Sequence, residues 1–273
     1  MTRRSERVAA YIFLSFFAVI TLFPILGVIS VALTPEGSPI AGFTLSWPPH
    51  FGNFLSAWSA GQFGQDLRSS AIIAVPVVVV SSALSILTGY AFGTMRFRGS
   101  SLLFYVLLAG LVVPIEAMMI PLYYDLRRIG LVDDYWSVIL PDIGISMAFG
   151  TFWMRAFFLS TPRSLLEAAR IDGASTWRTL VRILVPTARP AIFTMMLLLF
   201  MWTWNDFLFP LVMLQNPNLA TAPLGIANFI GKFNTDQQGL AAGAVIVALP
   251  IVVLYFFSQR HFIRGMLSGA SRL

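Results

Sequence analysis

Apolar and polar positions alternate along this chain on the scale of whole helices. Long apolar runs bounded by arginines and turn residues cover about 9–33, 70–94, 101–123, 136–158, 189–213 and 239–258. Each approaches or exceeds the roughly 20 residues that an α-helix needs to cross the hydrocarbon core of a bilayer. The pattern predicts an all-α membrane protein, a single domain over 1–273 with six transmembrane helices. The first run follows Arg3, Arg4 and Arg7 as a secretory signal would, but its apolar stretch outruns the about 7–15 residues of a cleaved signal core. It is read as a retained span. Composition agrees: 57% of residues are hydrophobic and 11% charged, against about 25% charged in soluble domains.

An even number of spans puts both termini on one side. Of the 18 basic residues, only Arg68, Arg127, Arg128 and Lys232 then fall on the other side. The rest cluster at the termini, at Arg96 and Arg98, and around the 159–188 loop. The bias of Lys and Arg toward the inner face places both termini and that loop in the cytoplasm. The net charge of +6 therefore reports orientation, not nucleic-acid binding. Cysteine is absent and the only imidazoles are His50 and His261, so disulfides and thiolate or histidine metal clusters are excluded and no cofactor is expected. The outer loops, about 34–68 and 214–238, read as capping segments with interfacial aromatics such as Trp47 and Trp58, and polar residues such as Asn216 and Asn234.

The polar interruption at 159–188 has its own local logic. Thr161-Pro162 offers a capping hydroxyl followed by proline at a first helical position. Ser164 to Arg170 can form two turns, with Leu165, Leu166 and Ala169 as an apolar surface. Gly173 suits the end of this helix because it accepts positive φ. Ser175 can cap a second helix, Thr176 to Leu184, which is expected to stop at Pro186, with re-entry into the membrane near Ala191. Small residues at Ala168 and Ala169 admit close approach of another surface, and Glu167 supplies a charge for an arginine. These residues fit either an amphipathic hairpin lying on the inner leaflet or a docking handle for a protein.

The sequence Glu167-Ala168-Ala169, then Asp172-Gly173, then Ile183 and Val185-Pro186, resembles the EAA signature of ABC importer permeases, with Val185 where leucine is usual. Gly89-Tyr90-Ala91-Phe92 through Gly99, Val113-Pro114, Ile120-Pro121-Leu122-Tyr123, Gly130-Leu131-Val132-Asp133, Trp204 through Leu211 and Gln259-Arg260-His261-Phe262 are similar to segments of the carbohydrate, maltose-permease-like subfamily and its six-span second subunit. Arg68-Ser69-Ser70 stands where that family usually opens the second span with Asn-Ser. The resemblance implies that Glu167, Ala168, Ala169, Asp172, Gly173, Ile183 and Pro186 belong to a coupling element seated on a cytoplasmic ATPase. It also implies a second permease subunit, two ATP-binding subunits, an extracytoplasmic solute-binding protein and a small carbohydrate cargo. The chain contains no Gly-x-x-x-x-Gly-Lys-Ser/Thr; Gly231-Lys232 is followed by Phe233. It is therefore expected to be no enzyme, with ATP hydrolysed elsewhere.

Ionisable residues within spans are costly and mark candidate pathways. Glu116 follows Pro114, Asp142 follows Pro141, and Trp204-Asn205-Asp206 combines an aromatic surface with an amide and a carboxylate. The alternative for Asn205 and Asp206 is bonding to neighbouring helices or a partner permease, and for Glu116 and Asp142 contact with interfacial water. No basic residue lies deep in a span, which favours uncharged cargo over a sugar phosphate; a polyol or amino sugar stays open. An ion-coupled secondary transporter would be expected to show paired internal repeats, which this chain lacks. No intramembrane catalytic constellation is visible.

Overall fold

A computed structural model describes residues 4–39, 43, 46–231 and 235–270. Arg3, Lys232, Asn234 and Arg272 lie outside the described residues, as do the side chains of Arg4, Arg260, His261 and Phe262. The described chain is helical, with one isolated antiparallel bridge, Ile230 to Thr235. In chain order the helices are α1 (Arg4–Ala32), α2 (Gly52–Ala60), α3 (Phe63–Thr94), α4 (Ser100–Val112), α5 (Ile115–Arg128), α6 (Trp136–Leu159) and α7 (Arg163–Ile171). They continue with α8 (Thr176–Thr179), a π-turn (Leu180–Leu184), α9 (Val185–Asn205), α10 (Leu208–Met213), α11 (Ala222–Ile226) and α12 (Gln237–Ala270).

Five stretches are long and apolar enough to cross a membrane: Glu6–Ala32, Phe63–Thr94, Trp136–Leu159, Thr176–Asn205 and Gln237–Gln259. The third expected span differs from the expectation of one run over 101–123. It is a pair, α4 and α5, bent by 96°. Pro114 accounts for the break: it has no N–H to donate and disfavours a helical residue before it, and Val113 is accordingly extended at φ −70°, ψ 124°. The pair makes a sixth span if it is counted as one.

The chain divides into two compact units, Met1–Leu67 with Ala222–Pro250 and Arg68–Thr221 with Ile251–Leu273. In the first, Phe63 is fully buried among Ala32, Ala57, Ala222 and Ala242, and its ring stacks on Phe229 at 6.2 Å. Small residues of α12, Ala241 and Ala242, are buried in this core. A Cβ on Gly243 would stand 2.8 Å from the Phe63 ring. The 34–68 segment, expected as a loop, contains α2, whose Asn53 amide donates to the Ala32 and Thr34 carbonyls at 2.9 and 2.7 Å. It thereby satisfies acceptors that the end of α1 leaves free.

In the second unit α3, α6 and the π-turn with α9 share a core of Val78, Tyr90, Met154, Phe158, Leu184 and Met195. The α3–α6 seam is built from small and hydroxylated residues, as close helix approach in a membrane requires. Thr88 and Thr151 hydroxyls lie 2.6 Å apart, and Ser81 and Ser85 donate to the Ile143 and Met147 carbonyls. A Cβ on Gly89 would meet Met154 Cβ at 2.6 Å and the Arg155 nitrogen at 3.0 Å. At the other end of the unit, α5 and α10 pack around Met119, Val138, Phe209 and Met213. Asp133 holds the nearby loops together by accepting from the Gln215 and Asn216 amides.

Gly89→Leu is expected to cost about 1–3 kcal/mol by overpacking this seam. Gly110→Ala, where nothing lies within 4 Å, should cost nothing. Thermal unfolding of the detergent-purified protein compares the two.

Candidate functional site

The first candidate site is the hairpin of α7 and α8. α7 starts at Arg163 behind Pro162, which occupies the N-cap without a side-chain bond. Thr161 was expected to cap it but instead donates back to the Phe157 carbonyl at 3.4 Å, so it belongs to the end of α6. The C-terminal turn matches the expectation closely. Gly173 has φ +69°, and its amide donates to the Arg170 carbonyl at 3.1 Å while that of Ala174 donates to Ala169 at 2.9 Å. These two bonds form a Schellman closure, which needs the left-handed residue that glycine supplies. Ser175 then caps α8, its Oγ accepting from the Arg178 amide at 3.3 Å.

The helix beyond Ser175 does not stop at Pro186. It runs unbroken from Thr176 to Asn205. An α-helix through Pro186 would press the ring against the Arg182 carbonyl and lose one bond. The chain instead widens into a π-turn over Leu180–Leu184, with the Val185 amide donating to Leu180, five residues back. Thr187 Oγ1 donates back to the Ile183 carbonyl at 2.7 Å. Pro186 is exposed on this turn and Ile183 is half-buried.

Burial sorts the hairpin into two faces. Ala169 is buried, and Leu165 and Leu166 pack on the core of the second unit, so the apolar surface read from the sequence faces inward. Glu167, Ala168, Asp172 and Gly173 are exposed, together with the apolar Ile171 (86%) and Trp177 (64%). Glu167 makes no ion pair among the described residues. Beside α7 lies a recess of about 730 Å³ lined by Arg96, Arg163, Glu167, Arg170 and Thr176, among others.

The second site is a cavity of about 600 Å³ in the same unit. It brings together the span carboxylates singled out in the sequence: Glu116 from α5, Asp142 from α6 and Asp206 from the break between α9 and α10, with Asn205 beside them. Asp142 is only 8% exposed, and its Oδ2 is buried with no hydrogen-bond partner. Asp206 Oδ1 accepts from the Phe209 amide at the start of α10, and Asn205 Nδ2 donates to the Met201 carbonyl at 2.8 Å.

Trp204 departs from its expected place. It is buried and stacked on Phe200 at 5.2 Å. Trp202 lines the cavity instead, in edge contact with Phe149 at 4.7 Å. Helical geometry gives the reason: residues two apart point about 200° from each other, whereas Trp202 and Asn205 lie three apart on one face. That spacing was present in the sequence as the one signal for Trp202. Phe149, Ser146 and Thr203 also line the cavity and carried no such signal.

Long apolar helices, a bent exposed hairpin and a carboxylate-lined cavity within the spans define a membrane permease. Residues 85–268 match the family of the binding-protein-dependent transport system inner membrane component, and the chain belongs to that family. It is 34% identical over 260 residues to the arabinooligosaccharides transport system permease protein AraQ of Halalkalibacterium halodurans, covering 93% of this chain and 92% of that protein. The trehalose transport system permease protein SugB of Mycobacterium tuberculosis is 31% identical, with 91% and 92% covered. The fold is that of a chain in the crystal structure of a bacterial ABC transporter involved in import of the acidic polysaccharide alginate. The TM-score there is 0.77 at 24% identity, covering 96% of this chain and 99% of that one. The resemblance read in the sequence is thus borne out.

The absence of native cysteine makes the two-face reading of α9 directly testable. In a single Trp202→Cys variant a water-soluble maleimide should label the thiol, because that position is 53% exposed. Trp204→Cys should label at least about tenfold more slowly, as expected for a thiol buried in apolar surroundings. Equal labelling rates would overturn the assignment.

Proposed function

We propose that this chain is one of two membrane subunits of an ATP-driven, binding-protein-dependent sugar importer. Sugar cargo is supported by the relatives named for arabinooligosaccharide, trehalose and maltodextrin transport. A binding protein is supported by a second fold relative, an alginate transporter in complex with a pentasaccharide-bound periplasmic protein (TM-score 0.64, 16% identity). Both termini and the hairpin lie in the cytoplasm, a placement that the arginine distribution supports, and the bacterial relatives support a prokaryotic cell membrane. ATP is hydrolysed by separate subunits, because the sequence carries no P-loop.

One observation carries the coupling mechanism. The helix that begins at the exposed hairpin ends in residues that line the cavity, Met201, Trp202, Thr203 and Asn205, with Asp206 just beyond its end. At 1.5 Å per residue it is a rod about 45 Å long. An ATPase that grips Glu167, Ala168, Ile171 and Trp177 differently in its open and closed states shifts this rod, and with it the wall formed by Trp202, Asn205 and Asp206. Gly173 fixes the angle between grip and rod. Asp172, Ile183 and Pro186 act within this element, at the α7 terminus and the π-turn.

Glu167→Lys places a like charge where a basic groove residue of an ATPase would pair. It is expected to lower ATPase retention during purification and sugar-stimulated ATP hydrolysis by about tenfold or more, with the membrane level of the permease unchanged. Gly173→Val strains the left-handed turn by about 1–2 kcal/mol and should act in the same direction. Normal ATPase retention in both variants would overturn the docking role.

A further inference from the structure

The recess of about 730 Å³ beside α7 holds more hydrogen-bond donors than it has partners for them. Arg163, Glu167 and Arg170 recur at four- and three-residue spacing, so they form one polar stripe along α7. Arg96, just past the end of α3, lines the recess with them. None of the three guanidinium groups makes an ion pair or a hydrogen bond among the described residues. Glu167 is the one carboxylate in the lining, against those three arginines. Tyr90 of α3 adds an independent sign. It lines the same recess at 7% exposure, its ring edge-on to Phe158 at 5.8 Å. Its hydroxyl makes no hydrogen bond among the described residues. The described side-chain oxygens that are partnerless and sealed from solvent belong to Asn53, Asp142, Ser82 and Thr221. The Tyr90 hydroxyl is not one of them, so this buried side chain opens its donor to the recess, where it calls for an acceptor. Met95, Phe158, Leu159 and Leu166 make the rest of the wall apolar.

We propose that this recess binds the phosphate headgroup of an anionic phospholipid from the inner leaflet, held by Arg96, Arg163 and Arg170 and by the Tyr90 hydroxyl. The site rests on the cytoplasmic placement of the hairpin proposed above. Arginine suits a phosphate because its planar fork donates two parallel bonds, and basic pockets at the cytoplasmic ends of spans suit anionic headgroups. Position favours a lipid over a docked protein. The recess is cut into the ends of α3 and α6, where Gly93, Thr94 and Leu159 line it. The outward Ile171 and Trp177, which a docking protein would meet, do not line it. The apolar wall gives the glycerol and first methylenes of a lipid a surface that a free phosphate does not need. A lipid seated there ties α7 to the ends of two spans and holds the hairpin at the bilayer surface.

The test uses the complete transporter in micelles of a neutral detergent, with bound lipid counted by native mass spectrometry. Phosphatidylglycerol and phosphatidylcholine with the same chains are titrated separately, and glycerol phosphate serves as the headgroup without chains. Phosphatidylglycerol should bind at least about tenfold more tightly than phosphatidylcholine, the scale of one hydrogen bond to a charged group. Arg163→Gln combined with Arg170→Gln should shrink that preference to about threefold or less. Tyr90→Phe, which keeps the ring on Phe158, should weaken phosphatidylglycerol binding by about threefold or more. Arg96→Gln, at an exposed position on the other side of the recess, reads the same charge if the double variant fails to assemble. Arg178→Gln, on the same hairpin but outside the recess, should leave the preference unchanged. Equal binding of the two lipids, as when an ATPase side chain fills the recess, would overturn the site. So would a preference unchanged in the recess variants, an equal loss in Arg178→Gln, or glycerol phosphate binding as tightly as the lipid. A micelle presents lipid to both faces of the protein, so this result does not depend on sidedness. Labelling of Trp177→Cys by an impermeant maleimide in intact wall-free cells would overturn the cytoplasmic placement alone, so either idea can fail by itself.

Discussion

A bilayer offers no water to a peptide group, so every N–H and C=O within a span must find a partner in the protein. That constraint organises this chain. Its spans carry internal prolines at Pro24, Pro76, Pro141, Pro190 and Pro250, and hydroxyls within them bond back to backbone carbonyls, as where Thr194 donates to the Pro190 carbonyl at 2.9 Å. The two real interruptions are different. One is Val113-Pro114, where α4 and α5 part by 96°. The other is Asp206-Phe207, between α9 and α10. Ile115 and Glu116 just after the first, and Thr203, Asn205, Asp206 and Leu208 at the second, line the same cavity. Irregular backbone at membrane depth persists where a polar cavity meets it, so the broken spans and the carboxylates share one cause.

The rest of the second unit gives that cavity a fixed wall and a movable one. The α3–α6 seam, closed by Gly89, Gly150 and paired hydroxyls, leaves no room for sliding. α9 packs on α6 with Trp153 Nε1 donating to the Ala191 carbonyl at 3.0 Å. It is the same helix that leaves the exposed hairpin. The π-turn widens the helix ahead of Pro186 without breaking it, so the rod stays continuous. Trp177 and Trp202 therefore lie on one helix with no loop between them.

Much of this was legible in the sequence because it depends on local rules. Apolar run length found the spans, glycine at 173 marked a left-handed closure, and Ser175 announced a cap. Ionisable residues in apolar runs pointed to Glu116, Asp142 and Asp206, and these do converge. What escaped the sequence depends on which of two neighbouring solutions the chain takes. Pro186 could end a helix or widen it, and tertiary packing of Leu180 and Leu184 decided for the wider turn. Pro114 could kink a span or break it. Trp204 drew attention through its motif, whereas the side-chain period placed Trp202 at the cavity. Leu165, Leu166 and Ala169 read only as an apolar surface whose partner was open; in the fold they serve the helix's own core, and Ala168 and Ile171 face outward.

The central claim is that hairpin and cavity move as the two ends of one helix. Spin labels at Trp177→Cys and Trp202→Cys, both exposed positions in a cysteine-free chain, allow pulsed dipolar measurement along that helix in the assembled transporter. A helix continuous over that stretch predicts a single narrow distance of about 38 Å between the labelled backbone positions, unchanged between nucleotide-free and ATP-bound states. A broad distribution, or a distance that changes by several ångströms when ATP binds, would mean that the helix hinges at its π-turn and would contradict the account.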